Sequence, residues 1–235
     1  MKLTIRSEWT KFTSSNWCIV GVLIALVLQP ILLLVGLRAN NTSTPQLALE
    51  QILQALYISQ VGIVIMSASF FGQEYYDSSL RTTFLANSHR MNVLLAKVLV
   101  TSFVAILAGI TSSGLGIAVA LCHNIYFTSY ALGRIAIAVL YWVMIGWISG
   151  FIAVVSMSHI ISMAIIIPLL LAVNQLLVAL WGILRFLPDV ATRNVFAVYQ
   201  NELFLEARVG IVVQFTWVII MGALAMWLNS RRDVK

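Results

Sequence analysis

Between Arg134 and Arg185 the chain runs for 50 residues, 135–184, without an Asp, Glu, Lys or Arg. At about 1.5 Å per residue, one helix of that length would reach about 75 Å, more than twice the roughly 30 Å hydrocarbon thickness of a bilayer. The stretch must turn, and Ser156-Met157-Ser158-His159 is the polar cluster placed to let it. Four other charge-free stretches, 12–37, 51–73, 98–133 and 209–230, hold 26, 23, 36 and 22 residues. A crossing needs about 20 residues, so each supplies one, the third leaving a polar loop near His123-Asn124. The expectation is a single all-α integral membrane domain over 1–235, with six spans near 17–37, 51–72, 93–121, 134–155, 160–184 and 208–228.

Composition agrees. Hydrophobic residues make up 61% of the 235 and charged residues only 9%, against about 25% charge in an ordinary soluble domain. So few charges cannot cover a water-facing surface, which disfavours soluble enzymes and disulfide scaffolds. The net charge of +6 is spread thinly between apolar runs, so no nucleic-acid partner is expected. Lys and Arg set the orientation. Nine (Lys2, Arg6, Lys11, Arg81, Arg90, Lys97, Arg231, Arg232, Lys235) fall on one side and five (Arg38, Arg134, Arg185, Arg193, Arg208) on the other. That places both termini in the cytoplasm. Residues 17–37 exceed the 7–15-residue core of a signal peptide and read as a retained span. Cys18 and Cys122 fall on opposite sides of the membrane, so no disulfide is expected between them.

Polar segments carry the functional information. In residues 1–13, Ile5, Trp9 and Phe12 share a face, with Lys2, Arg6, Glu8 and Lys11 around the rest of the wheel. This is a short amphipathic helix lying in the headgroup layer, either an anchor for span 1 or a contact for a partner. Between spans 2 and 3, Asp77 and Arg81 stand at i,i+4 in the order that supports a helix. Leu80, Phe84 and Leu85 lie on one side of it, with Glu74, Asp77 and Arg81 on the other. Such a loop suits the docking of another protein, or is simply solvated with a satisfied ion pair.

Residues 186–207 mix Phe186, Leu187, Phe196, Tyr199, Leu203 and Phe204 with Asp189, Arg193, Glu202 and Glu206. This is too apolar for a free loop and too charged for a span, so one or two short helices dipping into the outer leaflet are expected. Gln29, Gln60, Asn174, Gln175 and Gln214 lie within spans. Buried amides need partners, so they face other helices or a cavity, as interhelical glue or as a translocation path. Gly146 and Gly150 allow close packing, and Pro168 is expected to kink span 5. His89, His123 and His159 sit in three separate loops and no acid is embedded in a span, so neither a metal site nor catalysis is expected.

The loop residues Gly72-x-Glu74, Leu80-Arg81, Leu85, Ser88-x-Arg90 and Ala96-Lys97 resemble the corresponding loop of ABC-2 type transporter permeases, approximately G-x-E-x-x-x-G-T-L-R-x-x-L-x-x-P-x-S-R followed by A-K. Arg6-Ser-Glu-Trp-Thr-Lys11 resembles the motif that opens many such subunits. Ser78-Ser79 stands where Gly-Thr is usual, and Asn87 where Pro is usual. The resemblance implies a half-transporter that pairs with a second permease chain, the same or related, and rests on cytoplasmic ATPase subunits. It makes residues 2–13 an elbow helix and the loop a coupling helix, with Glu74, Asp77, Arg81, Phe84, Arg90, Arg6 and Trp9 toward the ATPase. ATP and Mg would be bound by that partner, since this chain has no G-x-x-x-x-G-K-[ST]. Among short permeases the likeness is greatest to those giving self-protection against peptide antibiotics such as bacitracin or lantibiotics. Multidrug or lipid export is the alternative cargo reading, and an energy-independent channel or scaffold the rival class.

Overall fold

The computed structural model describes residues 2–39, 44–76, 90–173 and 178–231. The described residues are helical, with no strand. They form α1 (Lys2–Ser14), α2 (Asn16–Ala39), α3 (Pro45–Tyr76), α4 (Arg90–Cys122), α5 (Ser129–Ser156), α6 (His159–Pro168) and α7 (Ala207–Arg231). A π-turn, Leu169–Val173, continues α6, and two 3₁₀ segments, Gly182–Phe186 and Val190–Phe196, precede α7.

Five of these helices, α2, α3, α4, α5 and α7, are long and apolar enough to cross a membrane, as in a multi-pass membrane protein. The sixth expected span, 160–184, is not one long helix among the described residues. Its first part is a short apolar helix, His159–Leu171. Pro168 has no N–H to donate and its ring crowds the carbonyl one turn back. There the regular α-helix stops and the π-turn begins. Past residues 174–177, which lie outside the described residues, a short helical stretch ends at Trp181, whose backbone is extended (φ −140°, ψ 103°).

The reversal at 156–159 is local chemistry. Met157 takes a left-handed conformation (φ 55°, ψ 25°) and closes α5 by donating its N–H to Ala153 O. Ser158 then caps α6, its hydroxyl accepting from Ile161 N–H at 3.4 Å.

α3 and α5 form the middle of the bundle. α3 packs against α2 and α5, α4 against α5 and α2, and α7 against α5. The most hydrophobic stretches of α3 and α5 are 83% and 78% buried, those of α2 and α7 only 28% and 22%. Apolar side chains on the outer helices, such as Val27 and Ile31 of α2 or Phe215 and Ile219 of α7, therefore face outward, as lipid contact requires. Trp142, Tyr57, Phe70, Phe71 and Phe196 fill the core. Between helices, side-chain donors reach backbone carbonyls. Trp142 Nε1–H donates to Leu56 O at 3.1 Å, Ser149 Oγ–H to Val64 O at 3.1 Å, and Ser112 Oγ–H to Ala25 O at 3.2 Å. Bonds of this kind hold helices together where the hydrophobic effect is absent. Gly21 and Gly62 let α2 and α3 approach until a Cβ on either would strike the other helix's backbone. Gly146 and Gly150 on α5 likewise receive Ile63 and the Phe71 ring of α3.

Candidate functional site

At the end of the bundle that carries α1, four charges are gathered where the sequence pattern suggested a solvated face. Glu8 is 1% exposed and Glu74 is 3% exposed. Lys11 Nζ lies 2.7 Å from Glu8 Oε1 and 2.6 Å from Glu74 Oε1. Lys97 Nζ lies 2.9 Å from Glu8 Oε2 and 3.5 Å from Glu74 Oε1, and donates to Phe70 O at 3.1 Å. The Glu8–Lys97 approach is an ion pair without hydrogen-bond alignment. Lys97 also sits 4.3 Å over the Phe70 ring. Two acids and two bases make the cluster neutral, as burial demands.

The cluster joins three elements. Glu8 and Lys11 come from α1, Glu74 from the last turn of α3, and Lys97 from the second turn of α4. Glu74 and Lys97 therefore stand on either side of residues 77–89, which lie outside the described residues. An aromatic seam flanks the charges: Trp9 stacks on Phe12 at 6.0 Å, and Phe12 meets Phe70 edge-on at 5.3 Å. Burial by itself would lower the Lys11 pKa, but Glu74 and Glu8 outweigh it and hold the ammonium above its ordinary value.

Of the residues expected at a partner contact, Arg6 is exposed and Trp9 is 40% exposed with its edge on Phe103. Glu74 is not on a surface at all: it points into the cluster. Arg90 opens α4. Asp77, Arg81 and Phe84 lie outside the described residues, as do Asn174 and Gln175. The expectation that Glu8 fills the polar face of α1 is corrected. Glu8 shares the buried face with Ile5 and Phe12, because two lysines meet its carboxylate there.

Gln29 and Gln60 are 0% and 1% exposed. Both Gln29 amide atoms and Gln60 Nε2 lack a hydrogen-bond partner among the described residues. Gln29 is pressed against Gly116 of α4, so it faces a helix and not lipid.

The opposite end is closed by residues 182–206, which the membrane helices grip through side chains. Asp189 is 1% exposed and accepts from Tyr57 Oη–H at 2.6 Å. Its N–H donates to Gln214 Oε1 at 3.1 Å. Its backbone has a positive φ of 74° with ψ −51°, the γ-turn region and a strained conformation for a residue with a Cβ, costing on the order of 1–3 kcal/mol. The bonds from α3 and to α7 hold it there. Arg193 lies 4.3 Å over the Tyr57 ring. Arg134 of α5 donates to Val195 O and Ala197 O at 2.9 and 2.8 Å, Trp217 Nε1–H donates to Phe186 O at 2.8 Å, and Val198 N–H donates to Glu50. Asn194 ties the segment to itself through Asn201 O and Leu205 O. Burial pushes the Asp189 carboxyl up to about 7, against the lowering influence of Tyr57 and Arg193. Of the one or two short helices expected over 186–207, the segment holds one 3₁₀ stretch, Val190–Phe196, with a second, Gly182–Phe186, just before it; the buried acid between them is an addition to the sequence reading.

No family model matches the chain, and no curated protein matches it.

Proposed function

We propose that the chain is the membrane-spanning permease subunit of an ATP-driven ABC-2 type exporter, with both termini in the cytoplasm of a bacterial cell. One observation carries the reading: the buried Glu8–Lys11–Glu74–Lys97 cluster, which binds α1 to the end of α3 and the start of α4. A force applied to α1 by a cytoplasmic ATPase would reach α3 and α4 together. Buried charge pairs fix register and orientation more than they add stability, which suits a rigid lever. Residues 159–184 would make the sixth crossing in two pieces broken at the π-turn, and two such chains would line the path. The charge-poor interior suits a hydrophobic or amphipathic cargo, such as a peptide antibiotic, with multidrug or lipid export as the alternative.

The test is affinity purification of the tagged chain from its native membrane in mild detergent. A stoichiometric soluble-type subunit and vanadate-sensitive ATP hydrolysis are the expected result. A chain that purifies alone, without hydrolysis, overturns the reading in favour of an energy-independent channel or scaffold.

A further inference from the structure

On the same end of the bundle as the charge cluster, but on its other side, a cavity of about 460 Å³ opens between the start of α2, the end of α3 and the first turn of α6. Its wall includes Ser14, Ser69, Gln73 and His159, and its rim Trp17 and Ile160. Ser69 and Gln73 stand at i,i+4 and share one face of α3. Gly72 lets α6 press in beside them, since a Cβ there would strike the backbone of His159. The N-terminus of α6 thus forms one wall, where the helix dipole favours negative charge.

A second observation points to a ligand. Ser69 is 2% exposed and its hydroxyl has no hydrogen-bond partner among the described residues. A buried hydroxyl left unpaired costs about 1–3 kcal/mol, and an occupant of the cavity would satisfy it. Among the described residues no carboxylate lines the cavity, while the Ser69 hydroxyl, the Gln73 amide and the Trp17 indole N–H can all donate. The lining therefore favours an acceptor-rich, negatively charged group. Among the described residues no Lys or Arg lines it either, which favours a singly charged phosphodiester over a free dianion. The rim is apolar and outward: Trp17 is 63% and Ile160 61% exposed. Trp at such a level marks the bilayer–water boundary.

We propose that this cavity binds the phosphate headgroup of a phospholipid from the leaflet on the α1 side, its chains leaving over Trp17 and Ile160. The site is independent of the exporter reading: it requires only that the chain sit in a bilayer.

Native mass spectrometry of the full chain in detergent tests it, with phosphatidylglycerol, diacylglycerol and inorganic phosphate titrated separately. One phosphatidylglycerol is expected to remain bound, with diacylglycerol and phosphate much weaker. The near-isosteric Gln73→Glu places a carboxylate against the phosphate and is expected to weaken phosphatidylglycerol binding about tenfold or more. Trp17→Phe, which removes one donor at the rim, is expected to weaken it about fivefold. Circular dichroism melts matching the parent establish that both variants are folded. Equal binding of diacylglycerol, or phosphatidylglycerol binding unchanged in both variants, overturns the proposal. Inorganic phosphate binding as tightly, with the same sensitivity to Gln73→Glu, overturns the lipid as the source.

Discussion

Glu74→Gln isolates the charge cluster from its packing, because the amide keeps the shape of the carboxylate and loses its charge. Glu74 lies 2.6 Å from Lys11 Nζ and 3.5 Å from Lys97 Nζ. At an effective dielectric of about 20 these separations correspond to attractions of roughly 6 and 5 kcal/mol. Much of that is cancelled by the cost of taking the charges out of water. The net loss on breaking a buried pair is about 3–5 kcal/mol, and the 30% exposure of the Lys11 side chain puts this case near the lower figure. What remains is one acid, Glu8, facing two lysines. Lys11→Met in the same chain restores neutrality and keeps the 2.9 Å Glu8–Lys97 pair. The double variant is therefore expected to recover about 1–2 kcal/mol relative to the summed single effects. Denaturant or thermal unfolding in detergent, followed by circular dichroism, measures all three. A Glu74→Gln variant within about 0.5 kcal/mol of the parent, or strict additivity in the double, would refute the cluster as a cooperative unit.

Two further outcomes follow from the 182–206 segment and the helix packing. Burial raises the Asp189 carboxyl from its ordinary 3.8 to about 7, so the docked segment binds more protons than the detached one between those values. Its hold is strongest below about pH 4 and is lost as pH rises through about 7; proteolytic cleavage within 182–206 should speed up over that range, and Asp189→Asn should flatten the dependence. The groups facing Asp189 are Tyr57 and Gln214, with Arg193 on its own segment, and a profile unchanged by Asp189→Asn would assign the titration elsewhere. Gly62→Val forces α2 and α3 apart where a Cβ already strikes Ala25 and Gly21 backbone; a loss of about 1–3 kcal/mol is expected in the same melts, and no loss would mean the two helices are not in that contact.

The apolar runs made the long helices legible, since 20-odd residues without charge leave few alternatives to a crossing. The turn at 156–159 was legible for the same reason, with Ser158 as the cap that a polar cluster promises. The interruption after Pro168 was only half readable: a proline announces lost hydrogen bonding, but not whether the helix kinks and resumes or stops. Glu8 and Asp189 were hidden by the rule that charges face solvent. For Glu8, Lys11 is a neighbour at i+3 on its own helix, but the second cation, Lys97, arrives from 89 positions away, a pairing that no helical period on α1 reports. Asp189 is buried by contacts from α3 and α7, again remote in sequence. A hint was present in Leu187-Pro188-Asp189, where an acid follows two residues suited to a tight, partly apolar turn. The close approach of Gly21 to Gly62 also escaped notice, because the two glycines lie on different helices and form no motif along either one.

The four-charge cluster also imposes an order on biosynthesis. Glu8 and Lys11 emerge first and form a pair by themselves. Glu74 follows and shares Lys11. Until Lys97 is made, the three carry one surplus negative charge at the end of α3. The nascent hairpin of α2 and α3 is thus incomplete as a buried unit, and its polar end must stay hydrated. Arrival of α4 brings the missing cation and the Phe70 carbonyl contact together, so the third long helix acts as the closing step that commits the first two to their final depth.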